Sequence, residues 1–412
     1  MKISLPLIGA LFGVVGAAHA AGTPNEHANG AALVTHSAPV CPGPASAADA
    51  RCHARVVTDA QGVPIASGVA NPNAGRTDAT SPPPPPPAGA YGPAQFRMAY
   101  GLTSTSSGGR TVAIVDAYDN PRAEADLAVY SNAFGLPACT TANGCFKKVN
   151  QTGGTAYPRA DAGWALEIAL DIQAVHAVCP DCKILLVEAR SNSLSNLLTA
   201  VNYAASRADV VVVSNSWGAG EFSSEASYDK YFDHGKPITV SSGDNGYGVE
   251  WPAASPKVTA VGGTTLYVDA NNQRTSEVVW KGAGSGCSKY AAQPAYQNVA
   301  DQQGACGRRL VADVAAVADP ATGAAVYDSY GYAGKSGWFT VGGTSLAAPV
   351  IAAIYALAGN TGGAAVLYPN ASMLYDVTSG NNGTCGNYLC QGTVGYDGPT
   401  GLGAPNGVDA FR

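Results

Sequence analysis

The chain has 412 residues, of which 46% are hydrophobic and only 13% are charged, and its formal net charge at pH 7 is −6. A chain of this length and apolar content can build one large core. The acidic balance argues against nucleic-acid binding, which requires a basic surface. After the amino-terminal region, no stretch reaches the roughly eighteen consecutive apolar residues of a membrane-spanning helix. We therefore expect a protein that binds neither nucleic acid nor membrane.

The first twenty residues have the pattern of a secretory signal peptide. Lys2 is followed by an apolar run from Leu5 to Val15 and then by the small-residue sequence Ala18-His19-Ala20. We expect the mature protein to be secreted, either outside the cell or into a periplasm. The ten cysteines then predict disulfide bonds, because exported proteins fold in oxidising compartments.

The cysteine spacing favours five local pairs, although spacing alone leaves the connectivity open. These pairs are Cys41/Cys52, Cys139/Cys145, Cys179/Cys182, Cys287/Cys306 and Cys385/Cys390. The Cys179-Pro180-Asp181-Cys182 sequence also fits a redox motif or half of a metal site. Because no second CxxC motif or histidine pair accompanies it, a structural disulfide is the favoured interpretation.

Residues 21–90 differ in composition from the rest of the chain. They contain no Phe, Tyr or Trp and hold twelve of the 27 prolines, including the run from Pro82 to Pro87, which favours an extended polyproline spacer. Such a segment is not expected to build a core. We interpret it as a lead-in or short propeptide, and we place a single folded domain at residues 91–412.

From Tyr91 onward, apolar runs alternate with helical patterns. The near-continuously apolar runs predict strands that are buried on both faces of a sheet, at Thr111–Ala117, Lys183–Ala189, Asp209–Ser214, Pro237–Ser241 and Val258–Gly262. The helical patterns lie at Ala162–Val178, Ser195–Arg207, Glu225–His234 and Ser345–Ala358. This alternation predicts an α/β fold whose central, mostly parallel sheet has helices on both faces. Active residues in such folds lie at the carboxyl ends of the strands.

A serine at the start of a helix is the first candidate catalytic group. Ser345 stands in the sequence GGTSLAAP, between a Gly-Gly turn and an alanine-rich helix. The glycines let the backbone turn sharply and let a substrate approach, and the amino end of a helix favours negative charge nearby. A lone serine at this place is usually only a helix cap. The longer string GTSxAAP, however, predicts a nucleophile.

The base for this serine is not the usual one. Subtilisin-like proteases share a GTSxAxP string but take their base from a His-Gly-Thr-His type of motif, which is absent here. Four of the six histidines fall within the first 90 residues, which leaves His176 and His234. The helix at 162–178 instead carries Glu167 and Asp171, four apart on one face, as its only formal charges. Charges in a helix that is apolar on nearly all sides need a reason, and close carboxyl groups can share protons as a base and its orienting partner.

Asp244 is the third candidate. It lies in the turn Ser241-Ser242-Gly243-Asp244-Asn245-Gly246, directly after a predicted strand. A glycine-flanked aspartate in a turn is ordinarily turn chemistry. Its position at the carboxyl edge of the sheet suggests a donor to an oxyanion, and a carboxyl group donates only while it is protonated. That role requires acid or a raised pKa.

Together these residues resemble the sedolisins, or serine-carboxyl peptidases, a family with a subtilisin-like fold and a Ser-Glu-Asp catalytic set. The resemblance covers nearly all of residues 91–412. It rests on seven stretches: WALEIALDIQ (164–173), SNSWG (214–218), SSGDNGYG (241–248), WPAASPKVTAVGGTTL (251–266), ADVAAVADPATG (312–323), GGTSLAAP (342–349) and GYDGPTGLGAP (395–405).

The resemblance implies a secreted, monomeric endopeptidase that hydrolyses polypeptides through an acyl-enzyme and works best in acid. Ser345 is then the nucleophile, and Glu167 takes its proton. Asp171 orients Glu167, and Asp244 helps to stabilise the oxyanion. The sequence Ser216-Trp217-Gly218 matches a strand end that lines the family's substrate cleft and pairs with an extended peptide. A buried tryptophan that closes a strand is a nearly equal alternative for the indole itself.

The resemblance also implies one structural Ca²⁺ ion near the carboxyl end. Asp376 and Asp397 match the two carboxylate ligands of the family, and Val377, Thr393 and Gly395 match its backbone carbonyl ligands. Thr393 stands where the family often has glycine, a tolerable departure because only the carbonyl is used. Hard oxygen ligands in glycine-rich loops suit Ca²⁺.

The main departure from the family is at the amino end. Many sedolisins carry a large folded prodomain that holds the zymogen inactive, and residues 21–90 do not match one. The segment is either a short leader or lead-in strand tied by Cys41/Cys52, or latency is managed by something that the sequence does not show.

Two other functions stay open at this point. A subtilisin-like serine protease would use His176 as its base with Asp116 as partner, and it would work at neutral pH. A catalytically inactive secreted binding protein would keep the fold without turnover, although all four catalytic positions carry competent residues.

Overall fold

A parallel sheet forms the centre of the computed structural model, which describes residues 1, 36–41, 43, 46, 48–69, 84–103, 105–299, 304, 306–359 and 361–412. The predicted signal peptide, apart from Met1, and part of the predicted polyproline spacer lie outside the described residues. In the part that is described, no helix has the length and apolar character needed to cross a membrane.

The described residues form eighteen strands and five α-helices. The strands are β1 (Ser37–Pro39), β2 (Arg51–Cys52), β3 (Arg55–Val57), β4 (Ala66–Val69), β5 (Thr111–Ala117), β6 (Phe146–Asn150), β7 (Lys183–Ala189), β8 (Val210–Asn215), β9 (Trp217–Gly220), β10 (Ile238–Ser241), β11 (Glu250–Trp251), β12 (Thr259–Val268), β13 (Arg274–Val279), β14 (Gly286–Cys287), β15 (Leu310–Val311), β16 (Val314–Val317), β17 (Ala324–Tyr332) and β18 (Lys335–Gly342). The helices are α1 (Pro93–Ala99), α2 (Ala123–Phe134), α3 (Ala162–Val178), α4 (Leu194–Ser206) and α5 (Thr344–Ala358).

The central sheet has the order β6-β7-β5-β8-β10-β12, with every neighbouring pair parallel. Strand β12 also pairs with β16 in parallel and with β13 antiparallel. The inner parallel strands are buried on both faces, which explains why the sequence shows continuous apolar runs there, whereas the edge strand β6 is partly exposed. The predicted α/β fold with a mostly parallel sheet is confirmed, and β5 and β7 span the same residues as the predicted runs.

Two helices on one face of this sheet carry the candidate catalytic residues. Helices α3 and α5 pack side by side, while α4 covers strands β5, β7 and β8 on the opposite face. Helix α3 begins where the Asp161 carboxylate accepts hydrogen bonds from the N–H groups of Gly163 and Trp164. The predicted helix at Glu225–His234 is only a 3₁₀-helix at Glu225–Tyr231, because Gly235, with a φ of 64°, and Pro237 follow closely.

The amino-terminal segment differs most from the sequence expectation. Strands β1, β3 and β4 join β17 and β18 in a second, antiparallel sheet, and β2 pairs with β9. Val40, Ala54 and Val56 are fully buried in the main core. The described residues 36–69 are thus part of the folded unit rather than a separate lead-in. They need no aromatic residues of their own because they pack on a core that residues 91–412 supply.

All five predicted cysteine pairs are disulfides, and no described cysteine is free. Cys179 and Cys182, together with Asp181, are close enough to hold a metal ion. Their sulfur atoms are bonded to each other, so they are not thiolate ligands. The structural interpretation of this CxxC sequence is confirmed.

Candidate active site

Ser345 lies in the first turn of α5, directly after a glycine pair. Gly343 has a φ of 99°, which side-chain-bearing residues rarely adopt. A β-carbon at this position would lie 2.0 Å from the carbonyl oxygen of His53 and 2.6 Å from Asp244 Oδ2. Glycine is therefore required here, because the backbone must pass close to both groups. The buried hydroxyl of Ser345 donates a 3.2 Å hydrogen bond to the carbonyl of Ser216.

A proline inside α5 links Ser345 to the neighbouring strand. Pro349 has no N–H and cannot donate to the carbonyl of Ser345 four residues earlier, as a regular helix requires. The hydroxyl oxygen of Ser216, which follows β8 directly, lies 3.4 Å from that carbonyl instead, and its one proton is shared between this carbonyl and Asp171 Oδ1. The proline thus leaves a backbone acceptor that ties the start of α5 to the carboxyl edge of the sheet.

Three carboxyl groups gather behind Ser345. Glu167 and Asp171 lie one turn apart on α3, Asp116 lies near the end of β5, and all three are fully buried. Asp171 Oδ1 accepts a 3.0 Å hydrogen bond from the hydroxyl of Ser216. Among the residues that the structure describes, no hydrogen bond of ordinary geometry reaches either oxygen of Glu167 or of Asp116. Buried carboxylates without partners are costly, so this cluster favours protonated members.

Burial is the main electrostatic effect in this cluster. It raises the pKa of Asp116 to about 8. The pKa of Glu167 is raised well above its usual range by burial and then by the negative charges of Asp171 and Asp116, while the Ser345 hydroxyl lowers it in part. Burial and the charge of Asp116 likewise raise the pKa of Asp171. Such groups exchange protons as a unit, so one member can take a proton while the others keep theirs. The sequence suggested Asp116 only as a partner of His176, and its place in this cluster was missed.

Asp244 faces the other side of Ser345, from the loop after β10. Its Oδ1 accepts hydrogen bonds from the N–H and the hydroxyl of Thr344, at 2.8 and 2.9 Å. Its Oδ2 accepts none from the described residues, and both this oxygen and the carbonyl oxygen of His53 lie close to Gly343. Burial raises the pKa of Asp244 to about 6, although His53 and Thr344 lower it in part. In acid, the proton of Asp244 can therefore reside on Oδ2, the oxygen that accepts no hydrogen bond from the described residues.

The structure brings His53 to the site, which the sequence interpretation had placed in the lead-in. The N–H of Ser345 donates to the carbonyl of His53 at 3.2 Å, and the N–H of His53 donates to the carbonyl of Ser216 at 3.1 Å. The one sequence signal for this proximity was the adjacent Cys52, whose predicted bond to Cys41 marks a structured segment. The composition of residues 21–90, which lack aromatic residues, argued against a place for His53 at the site.

The strand that was predicted to line a cleft lies against this same segment. Strand β9 pairs antiparallel with β2, and Gly218 stands opposite Arg51. The Trp217 indole is fully buried, and its Nε1 donates a 3.1 Å hydrogen bond to the carbonyl of Val115. The indole of Trp217 therefore packs in the core, while the backbone of β9 pairs with strand β2.

The predicted calcium residues lie in two neighbouring loops. The N–H of Gly395 donates a 2.9 Å hydrogen bond to Asp376 Oδ2, and the N–H of Thr393 donates one of 3.1 Å to Asp397 Oδ2. Burial raises the pKa of Asp397 to about 7, and the charge of Asp376 contributes to this rise. Val377 is buried beside them. Two carboxylates near each other in a loop rich in backbone oxygens fit a hard divalent cation.

Comparison with known proteins places this site in a family. Residues 151–364, more than half of the chain, match the Subtilase family. The chain belongs to the subtilase family. Its site differs from the His-based one, because His176 lies with its Nε2 2.9 Å from the carbonyl of Pro137, and no described contact joins it to Ser345. Burial lowers the pKa of this histidine.

The relatives of this subtilase include carboxyl-type peptidases. Sedolisin from Pseudomonas sp. (strain 101) is 28% identical in an alignment of 363 positions that covers 76% of this chain and 59% of the relative. Kumamolisin from Bacillus sp. (strain MN-32) is 31% identical in an alignment of 363 positions that covers 77% of this chain and 62% of the relative. The subtilase thus spans less than two thirds of the length of these two proteins.

A solved structure of Pseudomonas sedolisin, a serine-carboxyl proteinase complexed with two molecules of pseudo-iodotyrostatin, is also similar to the subtilase. The two structures align with a TM-score of 0.66 and 29% sequence identity, over 77% of this chain and 95% of that chain. The expected resemblance to the sedolisins and the expected subtilisin-like fold are confirmed.

Proposed function

We propose that this subtilase is a secreted serine-carboxyl endopeptidase that hydrolyses peptide bonds of polypeptides in acid. The observation that carries the proposal is the position of the buried Glu167 beside the hydroxyl of Ser345, with the buried Asp171 next to Glu167 on the same helix. No histidine ring among the described residues is hydrogen-bonded to that hydroxyl. The five disulfides support secretion.

Glu167 is the group through which the serine proton moves. Ser345 Oγ attacks the substrate carbonyl carbon while its proton passes to Glu167. The peptide C–N bond breaks, the leaving amine takes that proton, and an ester remains on Oγ. A water molecule then attacks the ester as Glu167 accepts a water proton, and the new carboxylic acid leaves as the proton returns to Oγ.

Asp171 and Asp116 influence the orientation and the ionisation of Glu167. Asp171 is fixed by Ser216 and lies one turn from Glu167, so it orients that carboxyl group. Asp116 has a pKa of about 8 and keeps its proton in acid. A single negative charge is then shared within the cluster, which makes ionisation of Glu167 feasible in a buried site.

Asp244 and the N–H of Ser345 form the oxyanion hole. The N–H already donates to a carbonyl oxygen, that of His53, and both that oxygen and Asp244 Oδ2 lie close to Gly343. Protonated Asp244 adds a second donor, which is worth about 10²–10³ in rate by analogy with other oxyanion holes. Because burial raises the pKa of Asp244 to about 6, this donor is present in acid and lost at neutral pH.

We further propose one structural Ca²⁺ ion near the carboxyl end. The carboxylates of Asp376 and Asp397 and the carbonyls of Val377, Thr393 and Gly395 would hold it. When bound, the ion supplies the positive charge that balances the two carboxylates and stabilises both loops.

Labelling with a peptide aldehyde tests this function against an inactive binding protein of the same fold. An aldehyde adds reversibly to an activated serine, so after incubation at pH 4 we expect a mass increase on wild-type protein and none on Ser345→Ala. The same preparations should differ in their cleavage of an unfolded protein. Absence of both the adduct and the cleavage at every pH from 3 to 7 would contradict the proposal.

A further inference from the structure

Residues 51–57, here called the cleft segment, cross the site as extended backbone. At one end β2 pairs antiparallel with β9, and at the other end β3 pairs antiparallel with β18, the strand that leads to Ser345. The cleft segment is thus hydrogen-bonded to a strand on each side of the nucleophile. An extended peptide substrate binds a protease by the same kind of backbone pairing.

The register of the cleft segment places one peptide bond at the nucleophile. The carbonyl oxygen of His53 accepts the N–H of Ser345 at 3.2 Å, and the N–H of His53 donates to Ser216 at 3.1 Å. A β-carbon on Gly343 would lie 3.0 Å from the carbonyl carbon of His53. The bond between His53 and Ala54 therefore stands where a cleaved bond would stand. His53 occupies the position of the substrate residue on the amino side of that bond.

The side chain of His53 fills a closed pocket. Its Nδ1 lies 2.7 Å from the hydroxyl of Ser241, and its Nε2 lies 2.9 Å from Glu250 Oε2. Gly218 forms a wall, because a β-carbon there would lie 2.6 Å from the imidazole Cε1. Both ring nitrogens are occupied, so this imidazole is not the base for Ser345.

Glu250 gives the pocket its charge. Besides His53, it binds Arg51 Nη2 at 2.5 Å through Oε1, and Asn245 Nδ2 lies 3.2 Å from the same oxygen. Burial by itself would raise the pKa of Glu250, but His53 and Arg51 lower it to about 2. The carboxylate stays ionised in acid and prefers a cationic or hydrogen-bond-donating side chain.

The cleft segment is supported from behind as a rigid unit. The Cys41–Cys52 disulfide joins it to the preceding chain, and the N–H of Val40 donates to the carbonyl of Ala54 at 2.9 Å. Strand β1 pairs along the whole of β3. These contacts hold the backbone of the cleft segment extended, which lowers the entropic cost of its binding in the cleft.

We propose that Ser241 and Glu250 form the pocket that selects the substrate side chain on the amino side of the cleaved bond. The pocket prefers histidine or another basic side chain, and His53 fills it as a built-in substrate mimic that blocks the cleft. The selectivity rests on the proposed peptidase function. The occupancy of the pocket by His53 is a property of the folded chain and can be tested without turnover.

Cleavage of paired peptides tests the selectivity on the full chain. We expect wild-type protein to cleave peptides with His or Arg before the cleaved bond at least about tenfold faster, in kcat/KM, than matched peptides with Leu. Glu250→Gln should reduce this ratio about tenfold or more, whereas Glu124→Gln, a half-buried control outside the cleft, should leave it unchanged. A ratio is independent of how many molecules are blocked. A preference for Leu, or the same ratio in Glu250→Gln, would overturn the pocket while leaving the peptidase function in place.

Hydrogen exchange tests the occupancy and separates the two claims. Residues 51–57 should be protected in wild-type protein, and both Glu250→Gln and His53→Ala should speed their exchange about tenfold relative to Glu124→Gln. His53→Ala keeps the pocket intact, so its peptide selectivity should equal that of wild type. If neither wild-type protein nor the unblocked His53→Ala cleaves any peptide, the proposed function fails, and exchange alone decides the occupancy. Unchanged exchange in both variants would overturn the blocking role of His53.

Discussion

Replacing Asp244 by asparagine tests the origin of the acid requirement. Asparagine Oδ1 can accept the same two hydrogen bonds from Thr344, at 2.8 and 2.9 Å, and its Nδ2 places a permanent donor where the protonated Oδ2 stands. With a pKa of about 6, the wild-type carboxyl is about nine tenths protonated at pH 5 and about one tenth protonated at pH 7. Wild-type activity should therefore fall about tenfold over that interval because the oxyanion donor is lost.

The asparagine variant should lack this fall. Initial rates on an internally quenched peptide between pH 3 and 8 measure it, with the exposed Asp233→Asn as the matched control. Asp244→Ala has no donor at any pH and should lose about 10²–10³ in rate throughout. An asparagine variant with the same decrease between pH 5 and 7 as wild type would refute Asp244 as the titrating donor.

Three further outcomes follow from buried charges. Asp313, fully buried 2.6 Å from Arg309, loses its counter-charge in Arg309→Met. The free energy of unfolding, measured in urea, should therefore fall by about 3–5 kcal/mol, and an unchanged midpoint would contradict this. Burial raises the pKa of Asp328 to about 8, so the folded state keeps a proton there that the unfolded state loses near pH 4. Its contribution to the free energy of unfolding should fall by at most about 1.4 kcal/mol per pH unit between pH 4 and 8, and Asp328→Asn should flatten that slope in thermal melts. Ca²⁺ should raise the melting temperature of wild-type protein but not of Asp397→Asn, and an equal rise in both would exclude the proposed ion site.

Local patterns predicted the elements that surround the site. Continuous apolar runs predicted β5 and β7 to the residue, because a strand buried on both faces leaves no polar alternation to confuse the assignment. Helix α3 also spans the predicted residues, Ala162–Val178, and the structure shows that Asp161 caps it. These signals come from neighbours in sequence, so they can be read from one chain.

The cleft segment could not be predicted in this way. His53 meets its partners Ser241 and Glu250 across separations of 188 and 197 residues, and no local pattern encodes such contacts. Its strand is short and lacks aromatic residues, because the core that it packs on is supplied by a later part of the chain. The role of Asp116 was missed for a related reason: only packing of β5 against α3 brings it to Glu167.

The most direct test of a carboxylate base is the activity of Glu167→Gln. Glutamine keeps the size of the side chain but cannot accept the proton of Ser345 in the attack. With peptide hydrolysis measured at pH 4 on the wild type, on Glu167→Gln and on the control Glu124→Gln, we predict that only Glu167→Gln loses activity, by about 10²–10⁴ in kcat. Wild-type activity in Glu167→Gln would contradict the account.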